Sequence, residues 1–285
     1  MISPRLLRRR IRSIQSTAKI TKAMEMIAAA KMRRAQEHAL AGRPYSEKIS
    51  QVISDLSAGL PETIAIHPLL EKRQVNRIAI VHITSDKGLC GGLNANMNRL
   101  TGKYILEHDM PVTITAIGAK GASFMHRNQC EIRAEFTKIG DQPGLLDTLP
   151  ISHIIIDDYT SGYTDMVYLA YTKFVSTMSQ EPILEQLLPV EPAIISKTET
   201  TEYIYEPDPK SVLGGLLPRF VEMQIYHAVL EAIASEQSAR MVAMRNATEN
   251  ANEIVENLIL TLNKARQEMI TKELLDITGG AEAIH

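Results

Sequence analysis

The stretch IRSIQSTAKITKAMEMIAAAKMRRAQEHA, residues 11–39, decides how this chain is built. Ile11, Ile14, Ala18, Thr21, Glu25, Ala28, Met32, Ala35 and Ala39 recur at alternating spacings of three and four. That is the period of a heptad seam, with Glu25 as its one acidic interruption. No Gly or Pro occurs from Arg5 to Ala41, so one helix of roughly 55 Å is expected at 1.5 Å per residue. Ser3 suits its cap and Pro4 its first turn. Pro44 invites a kink, after which Tyr45 to Leu56 continues as helix. Most seam residues are small, which lets a partner helix approach closely.

The far end of the chain mirrors this pattern. Glu206-Pro-Asp-Pro-Lys210 opens a segment that holds no Gly or Pro from Arg219 to Thr278. A helix of roughly 90 Å is expected there, far beyond the usual ~11–12 residues. Ala239, Ala243, Ala247, Ala251, Ile254, Leu258, Leu262, Ala265 and Met269 form its stripe. Neither stripe is buried by its own helix, so the two ends are natural antiparallel partners. Met269, Ile270, Leu274, Leu275, Ile277, Ala281, Ala283 and Ile284 make the last turns apolar on several faces. The first helix is too short to cover them. Such an apolar end favours aggregation unless other subunits sheathe it.

Between the helices the character changes. Arg77 to Thr84, Val112 to Ile117, Ile151 to Ile156 and Val167 to Phe174 are β-rich runs. The first three are each followed by helix-compatible sequence. Alternating strands and helices predict an α/β layer with a largely parallel sheet. The segments Ala58–Glu71 and Glu181–Pro192 contain Pro and are expected to be irregular. The fold class is therefore α/β, with a central Rossmann-like domain at 75–195. It is flanked by coiled-coil helices at 1–57 and 207–285.

Composition excludes several classes. The chain has 285 residues, 45% of them hydrophobic, and a net charge of −2, as expected of a folded globular protein. No apolar run approaches the ~20 residues of a spanning helix, so any membrane contact passes through partners. No secretory signal opens the chain. Cys90 and Cys130 form neither a CxxC nor a metal-ligand spacing, consistent with a reducing compartment. The net charge hides an asymmetry, since residues 1–48 hold twelve Lys and Arg against three Glu. Such a basic arm suits nucleic acid, anionic lipid or an acidic protein surface.

Each candidate for chemistry has a plainer alternative. Ser85-Asp-Lys-Gly-Leu-Cys-Gly-Gly-Leu-Asn94 follows the first strand, where a phosphate-cradling loop belongs. It matches neither GxGxxG nor GxxxxGK[ST], and Asp86 would repel a phosphate, so turn glycines are the plainer reading. Cys90 lacks a general base or oxyanion motif. The His residues show no HxxxH or HExxH spacing. Asp157-Asp158 is expected at a strand end, where α/β sites lie, but lacks a Gly-rich companion. Arg5, Arg8, Arg9, Arg10 and Arg12 form the strongest charged cluster. No aromatic base reader accompanies them, so a solvated face or an acidic protein surface fits better than nucleic acid. Arg240 and Arg245 sit on an Ala-rich stretch. An intrahelical ion pair, such as Glu236 with Arg240, and a contact to a partner carboxylate are equally compatible with that.

Four blocks together resemble the gamma subunits of F-type ATP synthases. They are ITKAMEMIAAAKMRRAQ at 20–36, SDKGLCGGLN at 85–94, ASEQSARMVAMRNATEN at 234–250 and ITKELLDITGGAEA at 270–283. The resemblance covers nearly the whole length. It implies a central-stalk rotor without catalytic residues, cofactor or metal of its own. The implied partners are the alpha and beta subunits of a catalytic hexamer, an epsilon subunit and a membrane c-ring, at one copy per complex. The implied location is peripheral, on the cytoplasmic side of the cell membrane in a bacterial-type complex, with no transit peptide. By motif, Met24, Arg240, Arg266, Gln267, Thr271, Glu273 and Asp276 match beta-subunit coupling contacts. Tyr203 and Glu206 match the foot near the rotor ring. Gln15-Ser-Thr17 departs from the usual Asn-Thr turn, Asp276 stands where Glu is common, and no chloroplast-type dithiol segment is present.

Overall fold

The computed structural model describes residues 4–59, 67–191 and 208–282. The chain forms two compact units, one of Met1–Ala28 with Arg240–His285 and one of Ala29–Ala239. Two helices contribute to both, α1 (Pro4–Gly59) and α5 (Pro209–Glu282). Pro44 does not interrupt α1. Likewise α5 begins before Arg219 and carries Pro218 within it, because Leu213, Leu217 and Val221 are buried at helical spacing in the core. The expected cap Ser3 lies outside the described residues.

In the first unit the two helices pair through the predicted seam of α1. Ile11, Ala18, Thr21 and Ala28 are buried, and Leu7 extends the seam by a further turn. On α5 the buried positions are Met244, Ala251 and Val255, followed by half-buried Leu258, Leu262 and Ala265. The stripe therefore runs through Val255. Ile254, assigned to it from sequence, is 48% exposed. Through Val255 the buried and half-buried positions 248, 251, 255, 258, 262 and 265 alternate three and four without a break, as a paired helix requires, whereas the path 254–258–262 takes two steps of four. Thr21 and Thr248 share a hydrogen bond of 2.7 Å between their hydroxyls. With residue 21 opposite 248 in an antiparallel pair, α1 runs out opposite about residue 265. Burial on α5 ends at that point, and every residue from Arg266 to Leu275 is exposed.

The second unit is built on a five-stranded sheet in the order β3-β2-β1-β4-β5. Its strands are β1 (Ile78–Ile83), β2 (Val112–Ile117), β3 (Glu131–Phe136), β4 (Met166–Phe174) and β5 (Gln180–Leu188). The first four are mutually parallel and β5 runs antiparallel to β4. The connecting helices are α2 (Leu93–Glu107), α3 (Ala119–Arg127) and α4 (Leu145–Thr160). Right-handed crossovers on either side of β1 place α2 and α3 on one face and α4 on the other. All of β1 is buried, as expected of a central parallel strand covered on both faces. Ile78 and Ile80 join Met97, Ile114, Ala122 and Met125 on one side. Ala79, Val81 and Ile83 face the other, with Ile151, Ile155 and Tyr159 of α4. Ala35, Ile49 and Ile53 of α1 and the α5 residues from Leu213 to Ala234 complete that second core.

Three expectations for this region are corrected. Ile151 to Ile156 is not a strand but the middle of α4. Its buried positions Thr148, Ile151, Ser152, Ile155, Asp158 and Tyr159 fall on one helical face, and that periodicity outweighs the β-branched composition. Asp157 and Asp158 therefore close a helix. Glu181–Pro192 is not irregular throughout, since it holds most of β5. Pro182 is tolerated there because β5 is an edge strand. β3 went unrecognised; its charged Glu131, Arg133 and Glu135 occupy the exposed positions of an alternating edge, a pattern that blunts edge pairing.

Two local features fix the carboxyl ends of β1 and β2. Gly118 has φ of +92° and its Cα approaches β1 so closely that a Cβ would lie 2.1 Å from the Thr84 carbonyl oxygen. His82 is fully buried, with Nε2 2.9 Å from Asn98 Oδ1 and Nδ1 3.1 Å from Thr101 Oγ1. Burial lowers its pKa to about 4, against a smaller opposing effect of the Asn98 hydrogen bond.

We expect Gly118→Ala to lower stability by about 2–4 kcal/mol in denaturant titration, since it adds both backbone strain and a clash with backbone. His82 favours its neutral form in the folded state. Its stability contribution is complete above about pH 6.5 and is lost as pH falls toward 4, totalling about 3 kcal/mol. His82→Gln should flatten the stability–pH curve in that window.

Candidate coupling surface

The loop that resembles a phosphate cradle is tied up by its own side chains. Asp86 Oδ1 accepts from the Ala119 amide at 3.0 Å and Oδ2 from the Lys138 amide at 2.9 Å. The amide at the start of α3, which would greet a phosphate, already holds a carboxylate. Ser85 donates its hydroxyl to the Lys87 carbonyl at 2.6 Å, and Asn94 donates to Ser85 Oγ at 2.7 Å. Leu89 and Gly91 take positive φ. Cys90 is buried and meets Asn94 Nδ2 at 3.3 Å. The loop therefore works as a cross-braced turn. The crevice beside it is lined by Thr84, Asp86, Gly118 and Lys138, and by Val229 and Ile233 of α5. Among the described residues no group of three or more His, Cys, Asp or Glu is arranged to hold a metal ion, and no helix is long and apolar enough to cross a membrane.

Asp158 has a structural partner. Arg133 donates to both its carboxylate oxygens, at 3.0 and 2.9 Å. This pairing raises the Arg133 pKa further. It fastens the end of α4 to the edge strand β3.

The paired helices present a different kind of surface. Arg5, Arg8, Arg9, Arg10 and Arg12 are all exposed while Leu7 and Ile11 between them are buried. The amphipathic period thus directs the whole basic cluster outward. Glu25, the acidic residue in the seam, pairs with Lys22 at 3.0 Å, which limits the cost of placing it there. Met24 is half-buried beside the seam, and so is Arg240. Arg245 pairs with Glu249 one turn on, at 3.3 Å. Past the end of α1, Arg266, Gln267, Thr271 and Glu273 are exposed, with the Thr271 hydroxyl donating to the Gln267 carbonyl at 2.9 Å. Around them Met269, Ile270, Leu274, Leu275 and Ile277 are between 43% and 69% exposed. The structure thus brings these residues onto one unpaired helix end that is both apolar and hydrogen-bonding. The Asp276 side chain, and Tyr203 and Glu206 altogether, lie outside the described residues.

Sequence reasoning missed one group of interest. Ser235, Gln237 and Ser238 are almost wholly buried. Their only signal was a run of polar residues on an otherwise apolar helix.

Comparisons with known proteins agree along the whole chain. A family described as ATP synthase matches residues 3–284. The ATP synthase gamma chain of Dehalococcoides mccartyi strain 195 is 60% identical over 285 residues, covering 100% of both chains. That of Chloroflexus aurantiacus strain J-10-fl is 46% identical over 288 residues, covering 100% of this chain and 99% of its own. Among solved structures, a chain of the central stalk and c-ring of the Tetrahymena thermophila mitochondrial ATP synthase superposes with a TM-score of 0.62. It is 25% identical and covers 80% of this chain and 99% of its own. A chain from the Euglena gracilis mitochondrial ATP synthase shares the fold with a TM-score of 0.68 at 20% identity, covering 99% of this chain and 94% of its own. The seam, the α/β insert and the exposed helix end are therefore those of a gamma subunit, and this chain belongs to the ATP synthase gamma chain family.

Proposed function

We propose that this chain is the central rotor shaft of a proton-translocating F-type ATP synthase. It couples rotation of a membrane c-ring to ATP synthesis and hydrolysis at beta subunits that alternate with alpha subunits around it. The chain itself is not catalytic and binds no cofactor. One copy serves each complex, epsilon docks beside it, and it meets the membrane only through partners, on the cytoplasmic side. Nucleic acid is not a partner. The observation that carries this reading is the end of α5, left without a helix partner and apolar on several sides. In a gamma-family chain such an end calls for an enclosing sleeve.

The physics of the shaft follows from its asymmetry. Three chemically identical sites around one off-centre helix pair meet three different surfaces. Their nucleotide affinities then differ by the difference in contact free energy, and turning the shaft exchanges them. Paired helices resist twisting better than one. In this reading Met24 touches the moving lever of a beta subunit. Arg240, Arg266, Gln267, Thr271, Glu273 and Asp276 hold preferred angles through hydrogen bonds and ion pairs. Tyr203 and Glu206 belong to the foot near the c-ring.

The direct test tethers the catalytic hexamer to a surface and follows a bead on the insert. ATP should drive stepwise rotation with one copy of the chain per hexamer; a stationary bead on an actively hydrolysing hexamer would refute the proposal. Met24→Lys is expected to lower the protons pumped per ATP hydrolysed, with an unchanged ratio counting against its lever contact. Deleting residues 268–285 should reduce torque or assembly only partly, since the paired seam ends near Ala265. Thermal melting of the insert should be unaltered by that deletion.

A further inference from the structure

The four residues Ser235-Glu-Gln-Ser238, which end one residue short of the last residue of the second unit, Ala239, are unusual for a helix packed in a core. Ser235 and Ser238 are fully buried and Gln237 is 2% exposed. Buried polar side chains weaken a core unless they are satisfied, and each of these is satisfied by the α/β insert. Ser235 donates to the Thr172 carbonyl on β4 at 2.9 Å. Ser238 donates to the Thr177 carbonyl in the β4–β5 turn at 2.8 Å, and accepts from Gln180 Nε2 at 3.4 Å. Gln237 donates to Asp141 Oδ1 at 3.2 Å, in the loop after β3. The other oxygen of Asp141 accepts from Lys31 of α1 at 2.6 Å.

The directions of these bonds matter more than their number. At roughly 100° per residue, Ser235 and Ser238 share one face of α5 while Gln237 lies well around the helix from them. The insert therefore grips α5 from two sides. Around them α5 meets the core through apolar side chains, among them Ala228, Val229, Ile233 and Ala234. Apolar packing of that kind is non-directional, whereas buried hydrogen bonds hold one geometry. An exposed pair such as Lys31–Asp141 contributes little to stability alone; here it anchors a carboxylate whose other oxygen serves α5.

We infer that Ser235, Gln237 and Ser238 are positioning residues that key α5 to the insert in a single rotational setting, with Asp141 linking that key to α1. Torque arriving at the insert then enters α5 without slip at residues that directly precede Arg240 in the chain. This inference rests on the rotor reading above.

The test uses the assembled complex, with the hexamer tethered and a probe attached through Leu106→Cys, a site that is 86% exposed. The angular variance of the probe is recorded while the hexamer is held at a nucleotide-inhibited pause. Ser235→Ala with Ser238→Ala should increase that variance roughly twofold at an unchanged rate of ATP hydrolysis. Gln237→Glu sets two carboxylates against each other and should do the same. Adding Asp141→Asn restores a donor–acceptor pair and should return the variance to the original value. An unaltered thermal melting curve of the Gln237→Glu complex establishes that the single variant is folded. Unchanged variance in both altered complexes, or no rescue, overturns the inference while rotation itself leaves the rotor reading intact. A probe that never rotates in the unaltered complex overturns the rotor reading and this inference with it.

Discussion

A helix with one apolar stripe is stable in water only when something covers the stripe, and this chain covers most of two such stripes with each other. The pairing of its first and last helices is the constraint on which the rest depends. Small residues at Ala18, Ala28 and Ala251 let the backbones approach, and the Thr21–Thr248 hydrogen bond sets one register. Because the partners come from opposite ends, everything between them must leave the pair and return to it. A compact α/β insert satisfies that requirement, since its own β1 and β4 are buried on both faces and need no help from the first unit.

The same pairing explains where the surface changes. A register of 21 against 248 exhausts α1 near residue 265, so the remaining turns of α5 have no intramolecular cover. Leu274, Leu275 and Ile277 stay exposed, a state that costs free energy in water and favours a protein environment. Hydrogen-bonding residues at 266, 267, 271 and 273 lie among them. Directional contacts superposed on a slippery apolar background are what a turning shaft needs, which is how the geometry and the proposed role meet.

The most ligand-like loop of the insert is braced by its own side chains. This Gly-rich loop sits where α/β proteins bind phosphates, yet Asp86 occupies the amides of Ala119 and Lys138. Gly118 allows β1 and β2 to close on each other at the same place. Arg133 with Asp158, and the polar key on α5, brace the remaining corners. A loop of this kind resembles a ligand site in sequence because both uses need tight backbone approach; only the side chain that fills the amides separates them.

The sequence by itself determined the two long helices, the α1 seam, the exposed apolar end and the mixed α/β insert, because those depend on local period and on the absence of Gly and Pro. The four gamma-like blocks identified the family for a related reason, being continuous in sequence. Tertiary structure decided the remainder. It chose Val255 over Ile254, because only Val255 continues the unbroken three-four alternation of 248, 251, 258, 262 and 265 along the paired face. It made Ile151–Ile156 helical, because a buried face at 148, 151, 152, 155 and 159 satisfies the core better than a strand. It turned Gln180–Leu188 into an edge strand despite Pro182. Finally, it gave Ser235, Gln237 and Ser238 their partners, which lie 58 to 96 residues away in the chain. No local pattern records such pairings, since hydrogen bonds across that distance exist only once the chain has folded.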